Sequence, residues 1–197
     1  MPATKLEILT KVLRKKISEF GKVNKFAAKK YQEMLEKTIQ DYHERRKHLD
    51  LEEACEAQEL ASDNIIKVAT EQALSILQQM NENKESFRKI GLTFEEKAFY
   101  DILIALRDEY NFEYGTDENT DGIIVNKKCK TLAKKVKEII DVKSSFADWL
   151  NNQNIRDQLK FEIKICLIKN GYPPQYSPAV FNKVMEQVEN FEEYSDN

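Results

Sequence analysis

Three short constellations in this chain carry residue types that do chemistry: His43-Glu44 with His48, the run Asp117, Asn119, Asp121, Gly122, and Glu162-Ile163-Lys164. A helical metal site of the zinc-protease kind needs its histidines four residues apart, so that both rings reach one ion. His43 and His48 are five apart. That is about 140° around a helix, and they read as a solvated helix end. The acidic run matches the first half of a calcium loop, with Ile124 at its apolar position. The twelfth position, where a bidentate Glu belongs, holds Lys128 instead. The stretch therefore reads as an acidic connection between helices. Glu162 and Lys164 match the ExK of metal-dependent nuclease cores, where an acid on a preceding strand shares the metal. Asp157 is too close to supply it, and Asp141 and Asp148 have no strand context. The chain has no glycine-rich phosphate loop, nucleophile elbow or cysteine pair at metal spacing. No catalytic, cofactor-binding or metal residue is assigned, and no cofactor is expected.

Charge offers a second chemistry. The net charge is −3, yet residues 1–48 hold 13 Lys/Arg against 6 Asp/Glu. The series Lys15, Lys16, Lys22, Lys25, Lys29, Lys30, Arg45 and Arg46 could meet phosphates or an acidic partner. The plainer reading is a solvated helix surface. Phe26 and Tyr31 lie on the apolar stripe, so base stacking is not expected of them.

The elements that position these residues are helical. Leu6, Leu9, Leu13 and Ile17 recur at steps of three and four, the spacing of one helix face, and Gly21 ends that helix. Val23, Ala27, Tyr31, Met34 and Thr38 carry a second helix to about His48. Ile66, Ala69, Ala73, Ile76, Leu77, Met80 and Phe87 predict a third, ending near Gly91. Thr93 with Glu96 forms a capping box before a helix that buries Phe99, Ile102, Leu103, Leu106 and Tyr110. Residues 111–122 read as a loop, and Val125, Leu132, Val136, Ile139 and Ile140 as the next helix. Residues 159–165 alternate apolar and polar as a strand would. Ile155, Leu159, Ile163 and Leu167 also keep helical spacing, which predicts a helix buried on two sides. Ser177-Pro178 starts the last helix, with Phe181, Val184, Val188 and Phe191 inward. Trp149 reads as a core or inter-helix anchor.

The expectation is an all-α bundle of about six to seven helices. It forms two packed lobes, 1–90 and 91–197, or one continuous domain. No apolar run of membrane-spanning length is present, and no secretory leader is expected. Cys55, Cys129 and Cys166, odd in number and far apart, read as reduced thiols of a cytoplasmic protein.

Three segments in fixed order carry a resemblance: Lys25–Tyr42 (KFAAKKYQEMLEKTIQDY), Gly91–Asp101 (GLTFEEKAFYD), and Trp149, Arg156, Leu159, Lys160 leading to Lys169–Pro174. Together they resemble the C-terminal helical region of the motor and restriction subunit of type I restriction enzymes. The chain departs from that family at Ile163, Ile165 and Cys166, where the family carries more Arg, and residues 49–90 match only loosely. The resemblance implies a non-catalytic assembly module. In it the nuclease and ATP-dependent motor lie upstream, and this region docks them onto the methyltransferase and specificity subunits. It implies structural anchors at Phe99, Tyr100, Trp149, Tyr172, Pro173 and Pro174. The alternative is a DNA-binding module using the basic helices of residues 5–47.

Overall fold

A computed structural model of the chain describes residues 2–50, 56–120, 122–144, 152–172 and 178–195. Trp149, Pro173, Pro174, Asp121, Ser177 and Cys55 lie outside them. Seven helices and one hairpin are described: α1 (Pro2–Gly21), α2 (Lys25–Asp50), α3 (Glu56–Lys89), α4 (Phe94–Glu109), β1 (Asp117–Thr120), β2 (Ile123–Asn126), α5 (Lys127–Ser144), α6 (Gln153–Lys169) and α7 (Pro178–Ser195). The chain is thus mostly all-α, as its periodicity requires. It forms two compact units, one of Met1–Gly21 with Ala28–Lys84, the other of Lys22–Ala27 with Glu85–Asn197. Among the described residues, no helix is long and apolar enough to cross a membrane.

In the first unit, α1 buries Leu6, Leu13, Ile17 and Phe20, and α2 buries Tyr31, Leu35 and Tyr42. From α3 come Ile66, Ala69, Ala73, Ile76 and Met80. Each side chain of Leu or Ile size so buried contributes about 1.5–3 kcal/mol. Phe20 meets Tyr31 edge to face at 5.7 Å, and the Tyr31 hydroxyl donates to the Gln79 carbonyl.

The second unit is built on helix ends. Thr93 Oγ1 accepts from the Glu96 amide while Glu96 Oε2 accepts from the Thr93 amide, so the capping box forms. Three helices end alike. Leu92, Phe112 and Tyr172 donate their amides back to the carbonyls of Phe87, Arg107 and Leu167. Gly91, Asn111 and Gly171 donate to Arg88, Asp108 and Ile168. These are Schellman turns, whose pivot needs a positive φ. Gly91 and Gly171 stand at +64° and +68°, and Asn111 at +48°. Each turn delivers the following apolar residue inward, most fully at Tyr172. α5 packs between α4 and α6, and α4 also meets α7.

Three expectations are corrected here. Residues 117–126 are not loop and helix but an antiparallel hairpin, with Glu118 opposite Val125 and Thr120 opposite Ile123. β-Branched Ile123, Ile124 and Val125 favour extended backbone. Gly122 takes the turn at φ +80°, and its amide donates to Asn119 Oδ1. α5 therefore starts at Lys127, after Val125. Tyr110 is not buried: it caps α4 with 40% of its surface exposed and lies under the Lys183 ammonium. Residues 159–165 are helical, but α6 is buried on one side only. Leu159, Ile163 and Leu167 face the core, while Phe161 is 64% exposed.

Asn126 joins hairpin to helix. Its Oδ1 caps α5 by accepting from the Cys129 amide at 2.9 Å, and its Nδ2 donates to the Tyr114 carbonyl and Asp117. Its own amide donates to the Tyr100 hydroxyl. Asn126→Ala removes the cap and leaves buried groups unpaired, an expected loss of about 2–4 kcal/mol. Urea unfolding followed by circular dichroism checks it; a loss under about 1 kcal/mol contradicts this role.

Candidate interaction surface

The described residues contain no group of three His, Cys, Asp or Glu able to hold a metal. His43 and His48 are both exposed on α2. Asp117 is engaged by Arg107 at 2.6 Å and by Asn126. Those hydrogen bonds hold its carboxyl below the usual range and raise the Arg107 guanidinium. Lys128, at the position a calcium ligand would need, lies over the Tyr114 ring. Glu162 and Lys164 sit on helix α6, with Glu162 paired to Lys143 at 2.9 Å, so the strand that an ExK site requires is not there. Burial pushes the Cys129 thiol up to about 12 and raises Cys166 as well. Only the thiolate alkylates. Iodoacetamide at about pH 8 is therefore expected to spare Cys129 in the folded chain and label it in urea, read by mass spectrometry.

The basic series falls in both units. Lys15, Lys16, Lys29, Lys30, Arg45 and Arg46 are exposed in the first unit, whereas Lys22 and Lys25, also exposed, belong to the second. On α2, Lys29 and Lys30 are about 100° apart, with exposed Glu33, Glu36 and Glu44 among them. Phe26 packs against the second unit's core and Tyr31 is buried, so neither offers a stacking face.

Two surfaces among the described residues are largely apolar. The first is a groove of about 490 Å³ in the first unit. Ala69 and Ala73 of α3 form its base with Leu35, and Leu6, Ile39 and Tyr42 form apolar walls. The hydroxyls of Thr10 and Thr38 donate to carbonyls of their own helices at 2.8 and 2.9 Å. Their donors are thereby turned back onto the helices. Lys11, Arg14, His43, Arg46 and Glu7 line the rim, and Arg14 is paired to Glu36 at 3.0 Å.

The second is the outer face of α5 and α6 in the other unit. Phe161 and Ile165 line a shallow depression with Ile139, and exposed Ile168 follows Ile165 at helical spacing. Val142, also on α5, is 59% exposed. Lys143–Glu162 and Lys135–Asn170 border the face. Sequence reading missed this surface because the same apolar residues fit a doubly buried helix equally well.

Beneath it the anchors are fixed. Phe99, Tyr100 and Tyr172 are buried, and the Tyr172 hydroxyl donates to the Leu103 carbonyl at 2.7 Å. Burial raises the phenols of Tyr100 and Tyr172, and pushes Tyr114 up to about 12. They act as neutral packing groups.

The sequence model of the type I restriction enzyme HindI endonuclease subunit-like C-terminal family matches residues 1–194. A Methanocaldococcus jannaschii protein, provisionally named type I restriction enzyme MjaIXP endonuclease subunit, is 26% identical over 187 residues. That match covers 92% of this chain and 14% of the relative. The type I restriction enzyme HindI endonuclease subunit of Haemophilus influenzae is 25% identical over 156 residues, covering 79% of this chain and 13% of the relative. The chain thus spans about one seventh of the length of these relatives. No solved structure matches the chain significantly.

Proposed function

The chain belongs to the type I restriction enzyme HindI endonuclease subunit-like C-terminal family, and from that premise we propose that it is a non-catalytic docking module of such a subunit. In this reading the module holds the ATP-dependent translocase and nuclease against the methyltransferase and specificity subunits. Docking raises the motor's effective concentration at the DNA site. The single observation that carries the reading is the apolar face of α6, where Phe161 and Ile168 are exposed and Ile165 is half-buried between them, in a chain otherwise rich in charge. Exposed aromatic side chains grouped with aliphatic ones are the usual anchors of protein interfaces.

The test is size-exclusion co-elution of the chain with the methyltransferase–specificity complex of the same system, at low and high salt. A complex that survives high salt is expected, since apolar contact is not screened. Phe161→Asp with Ile168→Asp is expected to weaken it by roughly 30-fold or more, the effect of losing one strong anchor. Salt-sensitive retention of duplex DNA without a complex would instead favour the nucleic-acid reading through Lys15, Lys16, Lys29 and Lys30.

A further inference from the structure

Helix α6 buries Leu159, Ile163 and Leu167, and Ile165 stands on the opposite side of the helix, half-buried. Residues of an α-helix follow one another at about 100°. Phe161 and Ile168 therefore lie about 40–60° from Ile165 in one sense, and Glu162 and Lys169 the same distance in the other. All four are exposed, Phe161 by 64% and Ile168 by 49%. The outer face thus has an apolar flank and a charged flank, with Ile165 on the ridge between them.

The order of these residues reads nearly the same from either end. Phe161 precedes Ile165 by four positions and Ile168 follows it by three, while Glu162 precedes it by three and Lys169 follows by four. Laying a second α6 antiparallel on this face, with a two-fold axis at Ile165, sets Phe161 beside Ile168 of the second copy. The same operation sets Glu162 beside Lys169 of the second copy and Ile165 beside its own equivalent. Each pairing is out of register by one residue, about 1.5 Å of helix rise, and the axis makes each flanking pair twice. Such self-complementarity is what an isologous interface requires.

Charge decides for a second copy over a partner of one sign. Lys169 has no ion pair among the described residues. Glu162 gives Oε1 to Lys143 at 2.9 Å, and a carboxylate can accept from a second ammonium as well. An acidic partner would match Lys169 and oppose Glu162, and a basic one the reverse; an antiparallel copy answers both. The shallow depression of Ile139, Phe161 and Ile165 seats the apolar centre of the seam.

We infer that this face binds a second copy of the chain, as an antiparallel two-fold seam of α6 against α6 centred on Ile165. The inference goes beyond the docking reading and does not rest on it. It uses the same face, so a second copy and the methyltransferase–specificity complex would exclude one another there.

The experiment is analytical ultracentrifugation of the 197-residue chain over a concentration series. One helix from each copy makes a small interface, so a reversible dimer with a dissociation constant of roughly 10–100 μM is expected, and nothing larger, because a two-fold seam closes. Phe161→Asp should weaken it roughly 30-fold or more by removing two apolar contacts per dimer. Lys169→Glu and Glu162→Lys should each weaken it roughly 10-fold by setting like charges together. An equimolar mixture of those two chains should recover the dimer, since both flanking pairs are then of opposite charge. Circular dichroism checks that each variant keeps its helix content; Phe161→Asp and Lys169→Glu, both at exposed positions, decide the matter if Glu162→Lys does not. The inference is overturned if the chain stays monomeric to about 500 μM, if Phe161→Asp and Lys169→Glu leave the dimer unchanged, or if folded charge variants fail to recover it on mixing. A chain that stays monomeric yet binds the methyltransferase–specificity complex through Phe161 would overturn the dimer and leave the docking reading in place.

Discussion

Tyr172→Ala is expected to destabilise the second unit by about 3–5 kcal/mol, the range for deleting a fully buried aromatic side chain. The ring meets Phe112 at 5.1 Å and Tyr114 at 4.9 Å, both edge to face. Its backbone is fixed by the turn at Gly171, so neighbouring helices cannot close over the cavity without moving the end of α6. Tyr172→Phe keeps the ring contacts and deletes only the hydrogen bond to Leu103. It should cost about 1 kcal/mol. Urea unfolding of both variants measures the difference. Equal losses would assign the role of Tyr172 to its hydroxyl rather than its ring, contrary to the packing described.

Asp101→Ala should cost a similar amount for an electrostatic reason. Asp101 accepts from the Lys97 ammonium, whose side chain is only 8% exposed, and from Asn24 Nδ2 at 3.0 Å. Asn24 in turn caps α2 by accepting from the Ala27 amide. Gln187 pairs both ways with the same segment, accepting from the Lys25 amide and donating to the Val23 carbonyl. Residues 22–27 are thus tied to α4 and α7 by polar groups as well as by the packing of Phe26. Withdrawing the carboxylate leaves a buried cation without its counter-charge, worth about 3–5 kcal/mol. A double variant, Lys97→Met with Asp101→Leu, should recover most of the loss, because it removes the charge along with its partner. If the double variant is no better than Asp101→Ala, the loss comes from the cap at Asn24 and not from the stranded ammonium.

Much of this fold was legible because it is local. The stripes Leu6–Leu13–Ile17 and Ile102–Leu103–Leu106 report which face of a helix is apolar, and the capping box at Thr93 and Glu96 closes over four residues. The hairpin was missed although its signal was short-range too. Asp121-Gly122 between extended segments is hairpin chemistry, but the aspartates were weighed as metal ligands, and Val125 was drawn into the helical stripe beyond it. Charge counted along the chain does not say whether lysines share a face; Lys22 and Lys25 belong to one unit and Lys15, Lys16, Lys29 and Lys30 to the other.

The sequence by itself determined most of the helices, the capping box at Thr93 and Glu96 and, through three ordered segments, the family. The helices and that cap depend on residues within a few turns of one another, where spacing alone fixes geometry. Only the tertiary structure decided which apolar faces are spent on the core. Leu159, Ile163 and Leu167 are buried while Phe161 and Ile168 on the same helix are exposed. Tertiary packing also decided that the groove above Ala69 and Ala73 is bordered by Lys11 and Arg46. Those are relations between residues far apart in the chain. Periodicity says that a face is apolar; what covers it depends on which helices find room to pack there.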